Sequence, residues 1–117
     1  MDIEGIREYC LMKKGVTESF PFDENTLVFK VSGKMFLLTD LMDELSINVK
    51  CEPEKALELR AHFPTVLPGY HMNKKHWNTV KIDGTVSDNL LQEWIDMSYQ
   101  LVVDSLTKSD QQALATL

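Results

Sequence analysis

Four cations, Arg60, Lys74, Lys75 and Lys81, lie in one stretch of the chain that contains no Asp or Glu, residues 59–82, LRAHFPTVLPGYHMNKKHWNTVKI. The same stretch holds all three histidines (His62, His71, His76) and the aromatics Phe63, Tyr70 and Trp77. It carries a formal +4, which leaves −10 to the rest of a chain whose net charge is −6. Cations at this density, interleaved with aromatics, suit an anionic partner, and a nucleic-acid backbone is the leading expectation. Lys74, Lys75 and Lys81 are the first candidates for phosphate contact, because a flexible ammonium neutralises a phosphate and releases counterions while reading no sequence. The competing role for three such lysines is to solvate a loop and a strand.

The neighbouring residues each have two readings. Arg60 has the fork geometry to grip a phosphate bidentately, but it can equally pair with Glu58 or with an adjacent strand, and the structural role is slightly favoured. Trp77 can stack on a base or wedge into a duplex step. Large aromatics dominate cores, so packing is the stronger expectation for it. Asn73 and Asn78 can read base edges or bond backbone groups, with loop-shaping favoured for Asn73. His71 and His76 are five apart, which does not place them on one helix face. With His62 and Cys51 they offer no tight ligand pair, so they are expected to anchor the loop by hydrogen bonds and no metal is expected. Lys50 and Lys34 extend the patch if their strands lie beside residues 77–82, whereas Lys30 reads as an ordinary solvated position.

Catalysis has little support. Cys51 with a histidine is the nearest approach to a nucleophile and base, but Cys51 falls on the apolar phase of its strand, where a thiol is usually inert. There is no glycine-rich phosphate cradle, no zinc spacing and no hydrolase serine motif. Asp40, Asp43 and Glu44 form an acidic turn with the donors for a cation, although such turns are more often solvated loops. The chain is therefore expected to be non-enzymatic and to need no cofactor.

The elements that must position these residues follow from period and punctuation. Asp2 caps a first helix whose stripe is Ile3, Ile6 and Cys10, with Lys13 and Lys14 in its last turn and Gly15 as its stop. Residues 17–22 read as a short edge strand, since Pro21 cannot donate to a ladder. Residues 27–31 and 34–39 make a hairpin about Ser32-Gly33. Residues 45–51 alternate most cleanly, with Leu45, Ile47, Val49 and Cys51 on one face, as in an antiparallel sheet with one wet side. Pro53 opens a helix running to His62. Pro64, Pro68 and Gly69 make a loop, and residues 77–82 form a strand ending at Asp83-Gly84. Ser87 caps the last helix, which carries Leu90, Leu91, Trp94, Ile95, Ser98, Leu101, Val102 and Leu106 at helical spacing, with the tail beyond Leu106 fraying. The order is α-β-β-β-β-α-β-α, an α+β fold with an antiparallel sheet of about five strands and helices packed on one face.

Length and composition agree. A chain of 117 residues is one domain, and 44% hydrophobic with 26% charged content is ordinary for a globular protein. A sequence pI near 4.9 argues against coating DNA by bulk charge, but salt screens beyond ~8–10 Å and leaves a local patch effective. The N-terminus lacks the features of a signal peptide, no apolar run spans a membrane, and Cys10 and Cys51 read as buried thiols, so a cytoplasmic monomer is expected.

Several segments together resemble a known family. YHMNKKHWNTV at residues 70–80, a following Asp-Gly turn, and SYQLVVDSL at residues 98–106 resemble the MmcQ/YjbR family, as do FPF (20–22), VFKVSGKMFLL (28–38), NVKCEPE (48–54) and the segment 59–78. The resemblance spans nearly the whole chain in the expected order. It implies a frataxin-like (CyaY-like) fold, and it implies DNA binding by a "double wing" arrangement; frataxin-like proteins also carry acidic ridges that bind cations. The leading expectation is thus a DNA-binding domain that uses Arg60, His71, Asn73, Lys74, Lys75, His76, Trp77, Asn78 and Lys81. The alternative is a frataxin-like module whose HMNKKHWN loop recognises an acidic partner protein or an anionic small ligand.

Overall fold

In the computed structural model, which describes residues 1–70 and 72–117, four helices pack on one face of a six-stranded antiparallel sheet. The Asp2 carboxylate accepts from the Gly5 N–H at 2.8 Å and opens α1 (Ile3–Leu11). The strands β1 (Val16–Ser19), β2 (Thr26–Val31), β3 (Lys34–Asp40) and β4 (Ser46–Lys50) follow as a meander. After α2 (Pro53–His62) come β5 (Val66–Pro68) and β6 (Trp77–Lys81), then α3 (Asp88–Asp104) and α4 (Lys108–Ala115). The spatial order is β1-β2-β3-β4-β6-β5. Ser32 and Gly33 both take positive φ (49° and 81°), the backbone of the two-residue turn whose twist suits a hairpin.

Strand alternation sends successive side chains to opposite faces. Leu27, Phe29, Leu37, Ile47, Val49 and Val80 join Ile6, Leu91, Trp94, Ile95 and Val102 in the main core beneath the helices. A separate cluster, Val28, Leu38 and Trp77 with Met35 and Met72 against it, lies on the other face, which no helix covers.

The structure departs from the sequence expectation in several places. Residues 66–68 are a sixth strand, not loop. β5 sits at the sheet edge and pairs only with β6, and an edge position tolerates the missing N–H of Pro68. The tail does not fray. Thr107 Oγ1 accepts from the Asp110 N–H at 3.1 Å to start α4, and Leu114 is buried against Gly15, where an added Cβ would meet its side chain at 2.5 Å. The first helix ends at Leu11, so Lys13 lies beyond it. Lys13 instead pairs with Asp96 and places its ammonium over the rings of Tyr9 (4.8 Å) and Tyr99 (5.2 Å), clamping the chain after α1 onto α3. The first strand ends at Ser19, the fourth covers Ser46–Lys50 and the last ends at Lys81.

One irregularity sets the geometry at an end of the sheet. Phe29 pairs with Leu37 but Lys30 pairs with Met35, so Phe36 is an extra residue in a bulge. Its carbonyl is satisfied by the hydroxyl of Ser98 on α3, which donates to it at 2.5 Å and accepts from the Lys50 N–H at 2.8 Å. A single buried hydroxyl thus joins β3, β4 and α3 where the β3–β4 ladder stops.

Ser98→Ala would leave a backbone N–H and a C=O without their partner. We expect a loss of about 2 kcal/mol, read as a lower urea midpoint at unchanged slope; an unchanged midpoint would refute the bridging role. A second expectation concerns acid. The Arg7 guanidinium donates to both oxygens of Glu18 (2.9 and 2.6 Å) and holds that carboxyl below its usual range. Its stabilisation is complete above the ordinary Glu value of ~4.3 and is lost as pH falls through the lower folded value. Glu18→Gln should therefore flatten the acid limb of the stability profile while changing little below it.

Candidate functional site

The uncovered sheet face has two chemically different ends, and the register shows where each begins. Lys50 is the partner of Trp77 across β4 and β6, while Ser46 is the partner of Lys81. Across β2 and β3, Lys30 is opposite Met35 and Thr26 is opposite Asp40. One end of the face therefore carries Lys30, Lys50 and Trp77. The other carries Asp40, Ser46 and Lys81. Lys74 and Lys75 lie in the turn just before Trp77, separated from it by His76, and add their charges to the first end. Among the described residues, Lys30, Lys50, Lys74 and Lys75 make no ion pair.

The turn that presents Lys74 and Lys75 is built by its neighbours. The Asn73 carbonyl accepts from the N–H groups of His76 (3.2 Å) and Trp77 (3.0 Å), and its side-chain oxygen accepts from the Lys75 N–H at 2.9 Å. Arg60, on α2, donates through Nε to Asn78 Oδ1 at 2.7 Å and through Nη2 to the carbonyls of Lys74 and Trp77. Asn78 in turn donates to the Ala56 carbonyl at 3.4 Å. Gly69 allows β5 to close against this turn: its N–H donates to the Trp77 carbonyl at 2.8 Å, and an added Cβ would stand 2.8 Å from Trp77 atoms.

This geometry separates the sequence candidates. Lys74 and Lys75 are exposed and share a turn. Lys81 is exposed four residues along β6, about 13 Å away at the rise of a strand, beside the acidic end. Arg60 is half-buried, and its guanidinium is committed to the turn and not to solvent. Trp77 is 8% exposed and packs with Val28 and Leu38, so its ring is covered where base stacking would need it open. Asn78 is buried with both ends of its amide engaged. Asn73 shapes the turn. His76 is half-buried and its carbonyl accepts from the Cys51 N–H at 2.8 Å. His71 lies outside the described residues.

Lys50 joins the cationic end because its strand lies beside β6, and Lys30 shares that end although the sequence marked it only as solvated. Strand phase puts both on the face opposite the core, a signal already present in the alternation. Lys34 is different: it sits at the hairpin, and its ammonium donates to the Ser105 carbonyl at 3.5 Å.

Both thiols are free and buried. Burial pushes Cys10 up to about 12 and raises Cys51 as well, which favours the unreactive thiol over the thiolate. Among the described residues, no three His, Cys, Asp or Glu side chains converge as a metal cage, and no helix is long and apolar enough to cross a membrane.

The YjbR family model matches residues 11–101. The chain is 44% identical over 93 residues to the uncharacterised protein YbdF of Escherichia coli O157:H7, covering 79% of this chain and 76% of that one. It is 31% identical over 118 residues to the uncharacterised protein YjbR of Escherichia coli strain K12, covering the whole of both. A Deinococcus radiodurans protein of known crystal structure superposes with a TM-score of 0.90 at 42% identity, over 97% of this chain and 87% of that one. A Pseudomonas syringae protein gives 0.76 at 27% identity, over 86% of this chain and 98% of that one.

Arg60→Lys tests the turn's construction. An ammonium keeps the charge but cannot span three acceptors in a planar fork. We expect hydrogen exchange at Lys75, His76 and Trp77 to accelerate by about tenfold, a local loss near 1.4 kcal/mol, with the fold intact by circular dichroism. Unchanged exchange would mean that Asn73 holds the turn unaided.

Proposed function

The chain belongs to the YjbR family, and on that premise we propose that it is a cytoplasmic, non-enzymatic domain that binds DNA. The contact surface is the cationic end of the open sheet face: Lys50, Lys74 and Lys75, with Lys30 at its margin. The observation that carries the reading is that strand register and chain order bring these lysines to one end of an uncovered face, and among the described residues none of them makes an ion pair. The sheet with helices on one side only also supports a frataxin-like reading of the architecture.

The chemistry is phosphate contact. Within a Debye length of ~8–10 Å a phosphate meets these lysines more strongly than the distant acidic surface. At longer range the net −6 repels DNA, which keeps association slow and binding weak. Trp77 and Asn78 are buried and the Asn73 side-chain oxygen already accepts from the Lys75 N–H, so sequence preference should be slight.

Fluorescence polarisation with a labelled duplex across a salt series tests this. Three neutralised phosphates predict a slope of log affinity against log salt near −2.7, at about −0.9 each. Lys74→Glu with Lys75→Glu should abolish most binding. No binding at low salt would overturn the proposal, and equal binding to polyglutamate would transfer the surface to a different class of partner.

A further inference from the structure

The other end of the same face holds a concavity of about 1020 Å³. Its floor is Leu38, Asn48 and Thr79 on the central strands. Phe22, in the β1–β2 connection, stands on one side; Leu67 on β5 and Tyr70 just after it stand on the other. Phe22 and Tyr70 are large rings left 63% and 71% exposed, a costly placement in water that an apolar ligand would relieve. Sites for small molecules typically span ~300–1,000 Å³, with mostly apolar walls and a few placed polar groups. This concavity is at the upper end of that range and is bounded on both flanks.

We propose that it binds a small organic cation, an ammonium or guanidinium group carried on an aromatic or apolar body. The walls select the body and the charges select its sign. Asp23, Asp40, Asp43 and Glu44 line the concavity against one cation, Lys81, and among the described residues none of the four carboxylates makes an ion pair. Asp23 already accepts from the Asn25 and Thr26 N–H groups, and Asp40 from that of Met42. Asp43 and Glu44 are therefore the carboxylates that meet the ligand's charge.

Thr26, Thr39 and Ser46 also line the concavity, and one pair of polar side chains on its floor is joined by a hydrogen bond. Thr79 Oγ1 donates to Asn48 Oδ1 at 2.5 Å and accepts from the Tyr70 N–H at 2.9 Å. Asn48 lines the concavity, and the bond from Thr79 orients its amide, whose N–H groups have no hydrogen-bond acceptor among the described residues. They can donate to an oxygen or ring nitrogen on the ligand body. The carboxylates supply charge without a metal cage, and the flanking rings favour an organic cation, by contact with the body and by cation–π attraction of its charged group. The site shares no residue with the cationic end, so either reading stands or falls without the other.

Two-dimensional NMR of isotope-labelled protein, titrated with tryptamine, tests the proposal. Saturable shifts are expected at the Asn48, Tyr70 and Thr79 amides, with a dissociation constant of about 1 mM or below. Skatole, which lacks the ammonium, should bind about tenfold more weakly, and the anion indolepropionate more weakly still. Asp43→Asn with Glu44→Gln, at exposed loop positions, should weaken tryptamine about fivefold and leave the rest of the spectrum unchanged. The proposal is overturned if tryptamine gives no saturable shifts, if skatole binds equally, or if the shifts fall at Lys50 and Trp77. A lysine-rich peptide that bound more tightly than tryptamine would likewise refute a small-molecule site.

Discussion

The guanidinium of Arg60 ties α2 to the beginning of β6 by donating to Asn78 Oδ1 and to the carbonyls of Lys74 and Trp77. The Lys74 carbonyl belongs to a turn outside the sheet ladder, and the half-buried planar fork satisfies it while adding to the Gly69 N–H on the Trp77 carbonyl. The consequence reaches the surface. With its backbone held from beneath, the turn can place two adjacent ammonium groups outward without a carboxylate to steady them. Arg60, for which the sequence slightly favoured a structural role over a phosphate grip, builds the platform for the lysines.

A second constraint acts at the same end of the sheet. The bulge at Phe36 takes one carbonyl out of the β3 ladder, and Ser98 returns it to a hydrogen bond while also capturing the Lys50 N–H. Buried backbone groups must find partners, so a helix hydroxyl completes what the ladder leaves over. Lys50 is thereby held beside Trp77. Trp77 is buried with Val28 and Leu38, an apolar cluster that borders the cationic end of the open face, and the other end presents its own chemistry.

That division explains how one acidic chain can display both signs on one surface. Screening limits each group's reach to about a Debye length. β6, at roughly 13 Å from Trp77 to Lys81, is long enough for the two ends to act separately. Net charge governs the approach of a distant partner, while the local groups govern the contact.

Much of the architecture was legible in the residues. Asp2 and Ser87 cap the helices they were expected to cap, Ser32-Gly33 turns the hairpin, and Leu90, Leu91, Trp94, Ile95 and Val102 pack as one face of a helix on the sheet, although that helix ends at Asp104 and Leu106 is buried just beyond it. These are local matters of period, cap and turn, and local physics decides them. The strand at Val66–Pro68 and the helix at Lys108–Ala115 were not legible, because each is stabilised by what it docks against: β6 for the strand, Gly15 and the core for the helix. The site divides in the same way. The acid-free composition of residues 59–82, and the exposure of Lys74 and Lys75, belong to the sequence. That Arg60, Trp77 and Asn78 turn inward, that Lys50 joins the cationic end and that Lys81 falls among carboxylates depends on strand order and register. Those are set by side chains distant in the chain meeting in one core, a condition that no window of sequence contains.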